Sequence, residues 1–230
     1  MNRNLIICGD LHGDPLPTLV EIVPPESDVL IVGDIGAGFG GPNSFRDLVK
    51  RCSKKLERKD INIYGCRGNH DDPDFFNGRC YEGRVTLLED HIPIKIQEKL
   101  IYPVGGAPSH DKEWRLKENA KMERFGSHKR VWWPGECIRP TNKPLPGHID
   151  IVISHDSPTY FDPPLIREDG IDWDTYNEIV EGRRYLSSLL NESSIDSWFF
   201  GHYHESFSGV WGGCLWRGLS PLELYYVTKR

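Results

Sequence analysis

The stretch Leu5-Ile6-Ile7-Cys8-Gly9-Asp10-Leu11-His12 carries the signal from which the rest of the chain can be read. Its four apolar residues, two of them β-branched, are too few for a helix and read as a short buried strand. The run stops at Gly9, and together with Gly13 this lets the backbone turn tightly around Asp10 and His12. In extended backbone, residues two apart point to the same side, so a carboxylate and an imidazole can reach one cation. Taken alone, such a segment is more often a solvated loop.

The same arrangement recurs along the chain. Val29 to Val32 runs into Gly33-Asp34, and Ile61 to Tyr64 precedes Gly68-Asn69-His70-Asp71. Ile149 to Ser154 delivers His155, and Ser197 to Phe200 feeds Gly201-His202-Tyr203-His204. Between these runs lie segments of helical spacing: Leu16 to Ile22, Ser44 to Lys59 with Phe45, Leu48, Val49, Cys52 and Leu56 on one face, and Asp174 to Leu190. Val85 to Leu88, Ile92 to Ile96 and Leu100 to Val104 add short strands, and two or three antiparallel strands are expected after His204. Alternating strands and helices predict an α/β fold. In such folds ligands collect beyond the carboxyl ends of the strands, so motifs far apart in sequence can converge.

From Ala107 to His148 the chain turns polar and aromatic, with Trp114, Trp132 and Trp133. The expectation is one domain over residues 1–230, with an insertion or cap at about 105–148, some helix near Lys112 to Phe125, and a Pro- and Asp-rich loop at 157–173.

Composition narrows the function classes. Hydrophobic residues at 38% are enough for a core, and a formal charge of −6 argues against a polymeric nucleic acid as partner. None of the six cysteines forms a CxxC pair, so zinc-knuckle and thioredoxin-like chemistry are not indicated, and buried reduced thiols are expected. Leu5 to Cys8 is too short for the core of a signal peptide, and no stretch approaches the roughly 20 apolar residues of a membrane span. A cytoplasmic protein with no membrane partner is expected.

As chemistry, the motifs divide the work. Asp34 could bridge two cations through its two carboxylate oxygens. Asn69 offers a neutral carbonyl oxygen. His70 could protonate a leaving group, with Asp71 fixing its tautomer and raising its pKa. Arg67 is suited to a bidentate grip on phosphate. His91, His110, His128 and His148 lie outside the motifs and read as structural.

The ordered set D-x-H, G-D, G-N-H-D, H and G-H-x-H, spanning residues 9 to 204, resembles the calcineurin-like metallophosphoesterase superfamily. The resemblance implies two packed mixed β-sheets flanked by helices in four layers. It implies Asp10, His12, Asp34 and His204 around one metal, and Asp34, Asn69, His155 and His202 around the other, with Asp34 shared. The cofactors would be two divalent transition ions, manganese favoured, with iron, zinc, cobalt or nickel also suited to mixed oxygen and nitrogen donors. The reaction would be hydrolysis of a phosphate ester, by in-line attack of a hydroxide generated between the metals with His70 as the acid. The substrate would be a phosphorylated small molecule or nucleotide, with a protein substrate left open. A phosphodiesterase or nucleotide hydrolase on the same site is the alternative, and a non-catalytic scaffold of the same fold a more distant one.

Two features depart from the superfamily pattern. Gly33-Asp34-Ile35-Gly36-Ala37-Gly38 lacks the second acid and the arginine of the protein-phosphatase signature, and Ser154 replaces the usual Gly before His155. The insertion, with Ser109, Asp111, Lys112, Arg115 and Trp132-Trp133-Pro134-Gly135-Glu136, is similar to small metallophosphatases of bacteria and bacteriophages. Arg115 could face an incoming phosphate, and the tryptophan pair could pack the insertion or stack a substrate.

Overall fold

A computed structural model describes residues 3–12, 15–41, 43–163 and 171–228. In chain order, β1 (Asn4–Cys8), α1 (Leu16–Ile22), β2 (Ser27–Ile31), α2 (Ser44–Lys59), β3 (Ile61–Gly65), β4 (Cys80–Tyr81) and β5 (Val85–Leu87) come first. Then follow β6 (Ile94–Ile96), β7 (Lys99–Val104), α3 (Lys112–Arg124), β8 (His148–Ser154), α4 (Trp173–Glu192), β9 (Ser194–Phe200), β10 (Phe207–Trp211), β11 (Cys214–Gly218) and β12 (Leu224–Tyr226). One six-stranded sheet has the order β12-β1-β2-β3-β5-β4, and the other the order β10-β11-β9-β8-β7-β6. Both are mixed: β1, β2 and β3 run parallel with β12 antiparallel at the edge, and β7, β8 and β9 run parallel with β6 antiparallel at the edge.

The period-two alternation of each central strand explains the layering. In β1, Ile6 and Cys8 face the helices α1 and α2, where they meet Leu19, Val20, Phe45, Val49 and Leu56. Leu5 and Ile7 face the other way, into the seam between the sheets, against Leu30, Val32, Ile151, Ile153 and Phe199. On the far side of the second sheet, Val152, Trp198 and Phe200 pack on Leu186 and Leu189 of α4. Because both faces are covered, these strands read as unbroken apolar runs. The result is the expected four-layer helix–sheet–sheet–helix stack.

The strands expected after His204 do form, but they divide. β10 and β11 extend the second sheet, whereas β12 crosses back to pair antiparallel with β1. β4, only two residues long, was too short to read from the sequence.

Residues 105–148 connect β7 to β8 and contain α3, whose single buried residue is Arg115. The loop expected at 157–173 holds a 3-10 turn at Thr159–Phe161; its residues 164–170, like the Gly13 turn, lie outside the described residues. Among the described residues no helix is long and apolar enough to cross a membrane. All six cysteines are free thiols.

Candidate metal centre

The parallel strands β1, β2 and β3 lie side by side in one sheet, as do β8 and β9 in the other, and each ends at one of the motifs. The turns that follow are tight. His12, Asp34, His202 and His204 all have positive φ, at 51, 49, 67 and 56°, a region costly for non-glycine residues and tolerated where surrounding contacts fix it. Those contacts are visible. Asp34 accepts from the His70 backbone N–H at 2.9 Å, and Asp10 accepts from that of His202 at 2.9 Å. The approach is so close that a Cβ at Gly68 would strike the Asp34 carboxylate and one at Gly201 would strike that of Asp10.

The side chains form an arrangement with too many acceptors for the protons available. Asp34 Oδ2 has His155 Nε2 at 3.5 Å, His12 Nδ1 at 3.6 Å and His70 Nε2 at 3.9 Å. His204 Nε2 lies 3.5 Å from Asp10 Oδ2 and 3.0 Å from His12 Nε2. Asp10 Oδ1 is buried without any hydrogen-bond partner. Asn69 donates through Nδ2 to Ser109 Oγ at 3.0 Å, which turns its Oδ1 toward His155 Nε2 at 2.9 Å. His155 places Nδ1 3.1 Å from the Val32 carbonyl. If Nδ1 carries the proton, as that carbonyl requires, Nε2 and Asn69 Oδ1 meet as two acceptors. Facing acceptors of this kind, with an orphaned buried carboxylate oxygen beside them, fit cations held by Asp10, Asp34, Asn69, His12, His155 and His204.

The electrostatics agree. Burial drives Asp10 upward, helped by the Asp34 and Asp71 charges and opposed by His155. For Asp34 burial acts upward too, but the imidazoles of His155, His70 and His12 outweigh it and hold it low. Burial lowers His12, His202 and His204, which leaves ring lone pairs free for a metal at neutral pH. Only His155 moves upward, because Asp34 and Asp10 overcome its burial.

His202, expected as a ligand, packs edge-on to His155 at 4.9 Å between ring centroids and stacks on His110 at 5.6 Å. His110 was read as structural. Its ring nitrogens are both buried without partners, and nothing in its sequence context signalled a place beside the centre.

Two assignments made from the sequence are corrected. Arg67 does not face the centre. It is 1% exposed, its Nε and Nη2 donate to Asp90 at 3.2 and 2.9 Å, Nη1 donates to the carbonyls of Gly135 and Glu136, and Nη2 also serves those of Gly105 and Cys137. It ties the insertion to the Gly68 loop. Asp71 does not touch His70 either. Its carboxylate accepts from the backbone N–H groups of Ile35, Gly36, Ala37 and Gly68 at 2.7–3.2 Å, clasping the Asp34 loop to the Gly68 loop. His70 accordingly has no raised pKa. Burial, with Arg115, His12 and His155 adding to it and Asp34 opposing, pushes it down to about 4.

The partner of His70 is Arg115, whose Nη2 lies 2.8 Å from Nε2 and whose Nη1 lies 3.3 Å from Nδ1. Phe39, from the glycine-rich segment after Asp34, sits 5.7 Å from the His70 ring and 6.3 Å from Trp133. Trp133 is itself buried, while Lys112 lies over Trp132 and pairs with Glu178 at 2.9 Å. Ser109 and Glu136, which sequence alone left without roles, form the support under Asn69: Ser109 Oγ donates to Glu136 Oε2 at 2.7 Å and Ser109 N to Oε1 at 2.8 Å.

Fold and site together define a metal-dependent hydrolase of the double-sheet phosphoesterase type. The sequence profile of the calcineurin-like phosphoesterase family matches residues 3–206, and the chain belongs to that family. The fold is similar to the crystal structure of phosphopantetheinyl hydrolase from Mycobacterium tuberculosis, with a TM-score of 0.53, 14% identity, and coverage of 98% of this chain and 95% of that one. A putative 5'-nucleotidase from Staphylococcus aureus, solved with alpha-ketoglutarate, aligns with a TM-score of 0.43 and 15% identity over 96% of this chain and 49% of the other. No curated protein matches by sequence.

Proposed function

We propose that the protein is a phosphomonoesterase acting on a small phosphorylated molecule or nucleotide in the cytoplasm, within one domain spanning the chain. The observation that carries this reading is the set of facing acceptors at Asp10, Asp34, Asn69 and His155, with His70 beside them 3.9 Å from Asp34. Asp10, His12, Asp34 and His204 would hold one cation, and Asp34, Asn69, His155 and His202 the other; mixed oxygen and nitrogen donors suit manganese, iron, zinc, cobalt or nickel, and manganese is our first choice for reconstitution. Bound cations would supply charge to meet the phosphoryl oxygens and make a water molecule nucleophilic at neutral pH.

The chain's own groups do the rest. The carboxylate of Asp34 is fixed by the His70 N–H, so the loop of the ligand and the loop of the acid are held together. His70 gives its proton to the leaving oxygen. At rest it is neutral near pH 7, so the proton it donates is taken up from solvent when an anionic substrate entering beside it raises its proton affinity. The Asn69–Ser109–Glu136 chain fixes which amide atom of Asn69 faces His155.

The test is hydrolysis of an aryl phosphate and an alkyl phosphate by the protein loaded with Mn²⁺. His70→Ala is expected to keep its metal and to lose about 10²–10⁴-fold on the alkyl ester, with a smaller loss on the aryl ester, whose leaving group needs less help. Full activity of that variant on the alkyl ester would remove His70 from the reaction. No turnover of either ester by the loaded wild type would favour a binding scaffold instead.

A further inference from the structure

We infer that Arg115 is a catalytic residue that selects phosphate monoesters over diesters, by binding the extra oxygen and charge that a monoester presents. The inference rests on the phosphoesterase reading above. The first support is the design of α3. An ordinary surface helix buries an apolar stripe. This one buries no apolar side chain, and its single buried residue is Arg115, at 6% exposure. The packing of α3 is therefore organised around placing a guanidinium.

The second support is where that guanidinium ends. Asp111 holds Nε at 2.5 Å and the Val131 carbonyl accepts from Nη1 at 3.2 Å, which sets the plane of the fork. Nη1 and Nη2 are then directed at both nitrogens of His70. A neutral imidazole has one lone pair and one N–H, so it satisfies one of these donors and not the other. One N–H of the fork therefore faces an N–H of His70, the general acid, and not an acceptor. An oxygen of a phosphoryl group supplies what is missing.

The third support is elimination. Arg67 is spent on Asp90 and four carbonyls, and Lys112 on Glu178. The segment after Asp34 carries no arginine. Among the described residues, Arg115 is the one guanidinium hydrogen-bonded to a side chain of the motifs. A monoester dianion has three free oxygens and two charges, whereas a diester has two free oxygens and one charge. A planar fork suits the former.

The test uses the full chain loaded with Mn²⁺, para-nitrophenyl phosphate and methyl para-nitrophenyl phosphate, which share a leaving group, and inorganic phosphate as a binding probe. Arg115→Gln is expected to lower kcat/KM about a hundredfold on the monoester and less than about fivefold on the diester. It should weaken phosphate binding in calorimetry about tenfold, with metal content unchanged. Arg115→Lys should recover part of the monoester activity, because it keeps the charge and loses the fork. Equal losses on both esters, or an unchanged phosphate affinity, would overturn the assignment. Because Arg115 also holds Val131, tryptophan fluorescence and melting temperature must show each variant folded. In folded Arg115→Ala, rescue of the monoesterase by free guanidinium supports the role, and absence of rescue by both guanidinium and lysine overturns it. If the loaded wild type hydrolyses neither ester, the phosphoesterase reading fails on its own. Phosphate binding then decides about Arg115, for it if Arg115→Gln weakens binding and against it otherwise.

Discussion

Asp34 occupies the most demanding position in the molecule. It is buried, has a left-handed backbone, and gathers three imidazole nitrogens within 3.9 Å of one oxygen. Isosteric Asp34→Asn removes the charge those nitrogens face. It is expected to empty the centre, so elemental analysis should show loss of both metals and turnover should fall to background; retention of both would contradict a shared ligand. Ser109 makes a subtler case. It touches no expected metal, yet its Oγ determines that Asn69 presents an oxygen and not an NH₂ to the centre. Ser109→Ala frees that amide to flip, and supporting contacts of this kind are worth about 10–100-fold in metal affinity. A competition titration with a chelating dye would measure the loss, and an unchanged affinity would mean that other contacts hold Asn69.

At the scale of elements, the site depends on loops being tied to one another, and two charged side chains do the tying. Asp71 satisfies four backbone N–H groups across the Asp34 and Gly68 loops. Asp71→Ala strands them at a cost of about 3 kcal/mol or more. Urea unfolding should show that loss together with weakened metal binding. Loss of turnover at undiminished stability and metal content would instead return Asp71 to a role in proton transfer. These ties also mark what the sequence could and could not disclose. The strands and helices were legible because periodicity reports which faces are buried: α2 was read from Phe45, Leu48, Val49, Cys52 and Leu56, all of which are buried in its core-facing stripe. The clustering of the candidate ligands was legible because each follows a strand end, and strand ends converge. The directions of Arg67 and Asp71 were not legible. A charged residue beside a motif can point at the ligand or at the backbone behind it, and which it does depends on loops with no periodicity. α3 was expected near Lys112 to Phe125 and forms at Lys112–Arg124, but what it buries was not legible, since a helix that buries an arginine has the pattern of a solvated one.

For the whole molecule, the two sheets meet at a centre that concentrates negative charge. Asp10, Asp34 and Asp71 are all at most 1% exposed, and Asp10 and Asp34 share His155 as a neighbour. Asp10 comes from the first sheet and is capped by the His202 N–H that follows β9 of the second, so the seam between the sheets closes over unbalanced carboxylates. Cations that bind only the folded state offset this repulsion and link the sheets. At a free metal concentration 100 times Kd, such binding adds about 2.7 kcal/mol. For a chain of this length that corresponds to a rise of roughly 5–10 °C in melting temperature. Removing the metal with a chelator should therefore lower Tm by that amount, and adding back Mn²⁺ should restore it in proportion to the logarithm of its concentration. In Asp34→Asn the same chelator should have almost no effect, because the variant has neither the shared ligand nor its charge. An equal shift in wild type and variant would show that the metal stabilises the protein somewhere other than at this seam.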